Sequence, residues 1–288
     1  MSMLPPLPGF SSSPSPTPTP APMKLYLPQD GLDEFIKVRA SLDFQPSVFW
    51  WTGSVYSFVP ERPDLSQELF TMKGMNVGRA VPTEAGYNLL TREVAVYGDL
   101  ETNEPLTSWN PAVIGGPDRA CEVVHVWNDP VNAKFSRGRG DDPFRLPTQE
   151  LGNGMVCLSM DVFVAYPSPI RHDQFPEHSA SNVYQGAELF QFFSQKDHIN
   201  DPHLPSAPAS ISWTRIGPWL PWMRMGENPG HLVYQCRGAK SAHAFEGVDP
   251  DLLLFVREKN PIFLEPPAEI SRRNETSWTY FLREHLSH

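Results

Sequence analysis

Proline limits what this chain can fold into more than any other feature of its sequence. The 288 residues include 32 prolines, eight of which fall within residues 1–22. The rest of the chain is still about twice as rich in proline as the usual roughly 5%. An interior proline removes a helix hydrogen bond and clashes with the preceding turn, which disfavours a helical bundle or a long-helix α/β protein. Short strands with irregular connections are therefore predicted.

Residues 1–22 differ in composition from everything that follows. They alternate Pro with Ser and Thr, carry no charge, and contain little apolar material beyond the first ten positions. Such composition is typical of a disordered or polyproline-II tail. A secretory signal would need a basic start and a continuous apolar stretch, which this segment lacks. We therefore predict a tail over residues 1–22 and a single β-barrel-like domain over residues 23–288.

Apolar residues from Pro46 onward mostly recur at every second position, as they do in strands. Seven segments have this pattern: 48–58, 68–76, 87–99, 121–129, 155–166, 210–216 and 231–237. Segment 183–194 fits either a helix or a strand, and Gly186 favours the strand. Helical spacing is limited to short stretches after Asp30, near 251–258 and after Asn274.

These patterns predict an all-β fold, mainly antiparallel, because no alternation of strands with helices is present. The polar segment 99–109 is typical of a hairpin, so the third strand is expected to turn back directly onto a short partner. The architecture predicted is a single curled sheet or β-barrel with a ligand cavity, capped by a few short helices.

Charge and cysteine content exclude several classes of partner. There are 23 basic and 33 acidic side chains, giving a net charge of −10, and no block of Lys or Arg stands out. Nucleic acid and anionic membrane surfaces are therefore poor partners. No run approaches the roughly 18 apolar residues that span a bilayer. The three cysteines, Cys121, Cys157 and Cys236, have no CxxC spacing and cannot all pair, which favours a reducing, cytoplasmic location.

Motifs that hold cofactors are missing from the sequence. It contains no GxGxxG after a strand, no Walker loop and no GxSxG elbow, so nucleotide cofactors and the common serine hydrolase mechanism lack support. The best metal-ligand cluster, DHINDPH at 197–203, matches no established ligand spacing. We expect no cofactor and no metal.

Large aromatic and thioether side chains are concentrated in the segment WTRIGPWLPWMRMGENPGHLVY, residues 213–234. They suit the wall of a cavity that holds a flat, apolar molecule. The alternative is that they simply form the core. The candidate substrate-binding residues are Trp51, Tyr97, Trp127, Asn128, Tyr184, Trp213, Trp219, Trp222, Met223 and Met225.

Two candidate catalytic residues lie next to each other on the strand predicted over 87–99. Alternation places Glu93 on the face that carries Thr91 and Tyr97, and places Arg92 on the opposite face. An ionisable side chain that points into a barrel must be paired or shifted in pKa, as catalytic acids and bases are. A salt bridge at the rim is the alternative for either residue.

His125 and Arg215 complete the set of catalytic candidates. His125 shares a strand face with Val123 and Trp127. We favour it as acid, base or hydrogen-bond donor, because an unperturbed pKa of roughly 6.5 lets either protonation state act near neutrality. The alternative is a satisfied core histidine. Arg215 could hold a developing oxyanion.

Five stretches carry a resemblance to a known family: GMNVGRAVP, LLTREVAVYGD, VVHVWNDPVN, SWTRIGPWLPWMRMG and NETSWTYF. The chain resembles the domain-of-unknown-function family numbered eighteen thirty-eight from about residue 35 to 285, excluding the tail. The resemblance implies one domain, of a kind seen in bacteria and fungi, and carries over no catalytic residue. The proline-rich start is similar to fungal members, some of which are expected among natural-product pathway enzymes.

The leading functional hypothesis is a cofactor-independent enzyme of small-molecule (secondary metabolite) biosynthesis. It would promote a cyclisation such as a cycloaddition, or a related isomerisation or dehydration, of an apolar, reactive substrate in the barrel cavity. One alternative is a non-catalytic carrier for the same kind of ligand, and another is an interaction module that uses the tail. The expected partner is an apolar small molecule, and a homodimer is left open.

Overall fold

The computed structural model of the chain describes residues 25–26, 31–139 and 142–287. The tail predicted over residues 1–22 lies outside these residues. The strands within them are β1 (Leu25–Tyr26), β2 (Ser47–Phe58), β3 (Glu68–Thr83), β4 (Gly86–Gly98), β5 (Ser108–Trp109), β6 (Cys121–Glu122), β7 (Val126–Asn128), β8 (Ala133–Ser136), β9 (Gly138–Arg139), β10 (Asp142–Pro143), β11 (Pro147–Gly152), β12 (Met155–Pro167), β13 (Val183–Gln195), β14 (Ser210–Gly217) and β15 (His231–Lys240).

The helices of the described chain are short, as its proline content predicts. They are α1 (Leu32–Arg39), α2 (Lys196–Asn200), α3 (Pro250–Lys259) and α4 (Ser277–Phe281), with a π-helical turn over Leu282–Leu286. Prolines begin the 3₁₀ turns Pro63–Leu65, Pro111–Ile114, Pro221–Met223 and Pro261–Leu264. Within the part of the chain described here, no helix combines the length and apolar character needed to cross a membrane.

One antiparallel sheet dominates the fold and confirms the predicted all-β class. Its strand order is β1-β11-β12-β13-β14-β15-β2-β3-β4-β7, and β8 also pairs with β4. Most neighbours are consecutive hairpins, whereas the pairing of β15 with β2 joins the last long strand to the first. Among the described strands the order ends at β1 and β7 without closing. The sheet is therefore curled and open, not a closed barrel.

The sheet curls around a cavity, which strands from both ends of the strand order line. Residues of β4 and β8, at one end of the strand order, line the same cavity as residues of β12 and β13, near the other end. The side chains of α1 pack into an apolar cluster with Phe192 of β13, while α3 packs against the outer face of β2, β3 and β4. The inner face of the sheet is thus left to build the cavity.

The prediction of a single strand over 121–129 is wrong. The segment forms two short strands, β6 and β7, which pair with β5 and β4 respectively. Between them, the Nδ1 atom of His125 accepts a hydrogen bond from the backbone N–H of Tyr97 at 3.3 Å. The His125 side chain therefore occupies the backbone N–H of Tyr97, which in a continuous β-ladder would pair with a backbone carbonyl. Segment 99–109 does turn back, with Leu106 N donating to Tyr97 O, but β5 pairs with β6 and not with β4.

Candidate functional site

The inner face of the curled sheet surrounds a cavity of about 200 Å³, called the sheet cavity below. Its lining comes from α1, from β2, β3, β4, β8, β12, β13 and β14, and from the residues just before β8. The aromatic side chains in the lining are Phe49, Trp51, Phe135, Phe190, Phe192 and Trp213. The polar and charged ones are Arg39, Asn76, Thr91, Glu93, Asn132 and Glu188.

A row of parallel rings forms one wall of the sheet cavity. Phe190 and Phe192 alternate on β13, and Phe190 lies opposite Trp213 on β14. The ring of Phe190 is inclined by only 12° to each of the other two, with centroids 6.2 Å away in both cases. Trp51 meets Trp213 edge-on at 5.9 Å. This wall presents a flat apolar surface, which suits a flat ligand.

Glu93 places a carboxyl group within this largely apolar lining. Its Oε1 atom accepts a hydrogen bond from Asn128 Nδ2 at 3.1 Å. Burial and the nearby charge of Glu188 raise the pKa of Glu93 to about 7, against the smaller opposing effects of Asn128, Arg215 and Arg39. Near neutral pH the carboxyl group is therefore available both as an acid and as a base.

Arg39, the last residue of α1, brings a positive charge to the same cavity. Its Nη2 atom donates to Asn76 Oδ1 at 2.8 Å, and its guanidinium lies 5.1 Å from the centre of the Phe49 ring. Asn76 is the register partner of Glu93 across β3 and β4. Burial lowers the pKa of Arg39 to about 10, so the side chain stays charged at neutral pH.

A second carboxyl group, that of Glu188, has a different environment. Glu188 lies opposite Arg215 across β13 and β14, with Oε1 3.8 Å from Arg215 Nε. Arg215 Nη2 also donates to the Tyr184 hydroxyl at 2.9 Å. The Arg215 guanidinium lies over Tyr234 and Trp278, at 5.1 and 5.5 Å from their ring centres. Glu188 thus has a cation as its neighbour, whereas the hydrogen-bond partner of Glu93 is neutral.

The sequence-predicted residues separate into three groups in the structure. Trp51, Trp213 and Glu93 line the sheet cavity. Asn128 and Arg215 do not line the cavity, but each contacts a residue that does. Asn128 donates a hydrogen bond to Glu93, and Arg215 lies beside Glu188. Tyr184 does not line the cavity, and its hydroxyl accepts a hydrogen bond from Arg215.

The second group belongs to the apolar core beside the cavity. It consists of Tyr97, Trp219, Trp222, Met223 and Met225, all of which are buried in one cluster. β14 ends at Gly217, and the prolines that follow turn the chain away from the sheet. Most of the tryptophan-rich segment therefore packs as core, and Trp213 alone of its tryptophans lines the sheet cavity among the described residues.

The third group lies elsewhere. His125 and Trp127 line a separate groove of about 410 Å³ beside Phe255 of α3. Burial lowers the pKa of His125 to about 4, so the ring is neutral near pH 7. Arg92, on the opposite face of β4 from Glu93, donates to Asp129 Oδ1 at 2.8 Å. The structure does not bring His125 or Arg92 together with Glu93.

Arg39, Asn76 and Glu188 are polar residues of the cavity that the sequence analysis does not single out. Glu188 had a usable signal, because a strand over 183–194 places it on one face with Phe190 and Phe192. This is the same pattern that selects Glu93: a carboxyl group within an apolar row. Arg39 follows Leu32, Phe35 and Ile36 at helical spacing, which places it on the apolar face of the helix, but nothing local indicates that this helix end reaches the sheet interior. Among the described residues, no cluster of three or more His, Cys, Asp or Glu could hold a metal ion.

A family model described as "Protein of unknown function (DUF1838)" matches residues 44–285. The chain belongs to this family. The match confirms the resemblance in the sequence, and the DUF1838 segment contains every strand that lines the sheet cavity. Arg39 is the one lining residue that precedes it. A search of curated proteins finds no match.

Proposed function

We propose that this protein is a cofactor-independent enzyme of small-molecule biosynthesis that acts on a largely apolar substrate in the sheet cavity. The reaction is a cyclisation, such as a cycloaddition, or a related isomerisation or dehydration. The observation that carries this proposal is the carboxyl group of Glu93 on a wall built mainly of aromatic rings. A carrier would need the apolar wall but has no use for a buried, titratable carboxyl group, whose burial costs stability.

Glu93 is the proposed acid and base. With its pKa near 7, the protonated form donates to an oxygen of the substrate, and the ionised form accepts a proton from an acidic C–H or O–H. Asn128 orients the carboxyl group through Oε1. Among the described residues, no hydrogen bond to Oε2 is present, which leaves that oxygen for the substrate.

The remaining groups fix the charge and shape of the site. Arg215 Nε lies 3.8 Å from Glu188 Oε1, and the negative charge of Glu188 favours the protonated form of Glu93. The Phe192, Phe190 and Trp213 rings orient a flat substrate, so its reacting atoms are held close together. Orientation alone accelerates a cyclisation strongly when the substrate is intrinsically reactive.

The test uses purified protein and extracts of a strain that lacks the gene, with products separated by chiral chromatography. Substoichiometric protein is expected to change the product ratio or stereochemistry. Glu93→Gln, which keeps the shape but cannot transfer a proton, is expected to lower turnover roughly 100-fold. The matched control is Glu104→Gln, at an exposed position just after β4, with turnover unchanged.

Two results would contradict the proposal. Saturable binding of an extract component with an unchanged product profile would indicate a carrier. Full turnover in Glu93→Gln together with a loss of turnover in His125→Ala would indicate that His125 is the acid or base and that the reaction takes place in the groove beside α3.

A further inference from the structure

The guanidinium group of Arg39 lies at the wall of the sheet cavity with most of its hydrogen-bond donors unused. Nη2 donates to Asn76 Oδ1 at 2.8 Å, and the guanidinium carbon lies 5.1 Å from the centre of the Phe49 ring. Arg39, Asn76 and Phe49 all line the cavity, so the charged end of the arginine reaches this wall. Its Nε and Nη1 atoms have no partner in the described chain and, unlike the enclosed Nε of Arg79, keep accessible surface. A charged donor group is therefore available at the cavity.

The carboxylates of the described lining do not form an ion pair with Arg39. Glu93, whose charge acts on Arg39 from a distance, accepts its hydrogen bond from Asn128, and Glu188 lies beside Arg215. Since the charges of Glu188 and Arg215 offset each other, the balance at the cavity depends on Arg39 and Glu93. Burial and the charge of Glu188 raise the pKa of Glu93 to about 7, so below neutral pH Arg39 lacks a counter-ion in this part of the molecule. Buried charges in proteins are normally paired, and an anionic ligand would supply the pair.

The guanidinium group and the size of the cavity together select the kind of anion. A guanidinium matches the two oxygens of a carboxylate in a planar fork, and its single charge neutralises one negative charge. A phosphate group carries nearly two negative charges at neutral pH. A dry cavity of about 150 Å³ binds benzene, so the sheet cavity, at about 200 Å³, has room for one ring with a short acidic arm. The parallel rings of Phe192, Phe190 and Trp213 favour a flat molecule.

We propose that the ligand of the sheet cavity is a flat, one-ring carboxylic acid, bound as its carboxylate by Arg39 and stacked against the aromatic wall. This inference rests on the proposed function and names its substrate class. It also orients the ligand. Asn76, which holds Arg39, is the register partner of Glu93, so the carboxylate end of the ligand is held on the side of the cavity that carries Glu93.

Calorimetric titration of the full-length protein at pH 6 with two acid–amide pairs tests the recognition of charge. The pairs are benzoate with benzamide and trans-cinnamate with cinnamamide, and each amide has the shape of its acid without the charge. Ordinary carboxylic acids titrate at about pH 4, so the acids are ionised while Glu93 is largely protonated. A hydrogen bond between charged groups is worth about 10- to 100-fold in affinity. Each acid is therefore expected to bind roughly tenfold or more tightly than its amide.

Variants of Arg39 identify the group that binds the carboxylate. Arg39→Gln removes the charge but keeps a donor for Asn76, and is expected to reduce the preference for the acid about tenfold with amide affinity nearly unchanged. Arg39→Lys keeps the charge without the planar fork, and is expected to retain part of the preference. Arg237→Gln is the matched control. Arg237 is exposed on β15 and does not line the cavity, so this variant should bind both probes as the wild type does.

Equal affinity for acid and amide in the wild-type protein would overturn the inference without needing any variant to fold. No detectable binding of either acid would also overturn it. An acid preference that persists in Arg39→Gln would place the anion elsewhere, as beside the exposed Lys134, Arg272 and Arg273, and would overturn it too. These outcomes are separate from failure of the proposed function. Equilibrium affinities decide the ligand class, whereas the product profile and its dependence on Glu93 decide catalysis.

Discussion

At the scale of single residues, burial acts in opposite directions on Glu93 and His125. It raises the pKa of Glu93 to about 7 and lowers the pKa of His125 to about 4, because the charged form of each side chain loses hydration. Glu93 therefore titrates in the range where an acid–base catalyst is useful, and His125 does not. The unperturbed pKa values on which the sequence analysis relies rank the two residues the other way round.

The raised pKa of Glu93 predicts how stability depends on pH. Between about pH 4.5 and 7, folded protein holds a proton that the unfolded chain has released, so the wild type loses stability as pH rises. Gln cannot ionise. Glu93→Gln is therefore expected to gain stability relative to the wild type across this window, on the order of 2 kcal/mol in the free energy of unfolding by pH 7.5. Urea unfolding at pH 5 and pH 7.5 measures the difference.

His125 contributes to the pH dependence of stability with the opposite sign, and this contribution does not affect the comparison of the two proteins. Since its folded pKa is lowered, His125 adds stability as pH rises from about 4 to 6.5. The contribution is common to both proteins and cancels when the two are compared at one pH. A stability difference between Glu93→Gln and the wild type that is the same at pH 5 and pH 7.5 would show that Glu93 is not buried as described.

The sequence predicts the alternation of side chains along β4, but it does not predict which face of the strand lines the cavity. Glu93 and Arg92 are predicted on opposite faces, and the structure has this arrangement. Both faces are apolar enough to be buried: Val94 and Val96, on the face of Arg92, pack in the cluster that includes α3. Periodicity cannot distinguish a face covered by a helix from one that lines a cavity.

At the scale of elements, the shape of the sheet cavity depends on a glycine in β3. A Cβ atom at Gly74 would lie 2.5 Å from Cε2 of Trp51, whose indole lies directly against the glycine backbone. β2 and β3 pair at this point, with Trp51 opposite Gly74. Any side chain there would displace the indole.

Gly74→Ala is therefore expected to destabilise the protein by about 1–3 kcal/mol, the usual cost of overpacking. It should also weaken binding at the sheet cavity, since Trp51 is part of the lining. Gly217→Ala is the control, because a Cβ atom at this strand glycine meets its nearest neighbour, Arg215 Nε, at an ordinary 3.6 Å. Thermal unfolding and turnover of both variants measure the effects. Equal losses in the two would argue against the described position of Trp51.

Long strands were predictable from period-two patterning, and short ones were not. The segments predicted at 48–58, 155–166 and 183–194 correspond closely to β2, β12 and β13. β8, β9 and β10 have two to four residues each, too few for any periodicity to be visible. β8 forms because its longer neighbour β4 brings it into the sheet.

At the scale of the whole molecule, distant parts of the sequence meet at α1. Lys240, the last residue of β15, donates to the backbone oxygens of Lys37 and Ala40 at 2.6 and 3.1 Å. Lys37 in turn donates to the backbone oxygens of Ile199 and Asp201. Such contacts, like the pairing of β15 with β2, depend on the packed fold and leave no local pattern in the sequence. The sequence analysis therefore predicts the sheet but not which strands meet in it.

A pair of truncations tests which part of the chain before the DUF1838 segment belongs to the folded protein. Removing residues 1–22 is expected to leave the melting temperature and turnover unchanged, because their composition offers little apolar surface to bury. Removing residues 1–40 also removes α1, with Leu32, Phe35 and Ile36 at 0% exposure, together with Arg39. Burying each such side chain contributes about 1.5–3 kcal/mol, so this truncation should lower the melting temperature on the order of 10 °C or prevent folding.

A large fall in melting temperature in the shorter truncation would show that residues 1–22 pack against the domain. A negligible loss in the longer truncation would contradict the packing of α1 against the sheet.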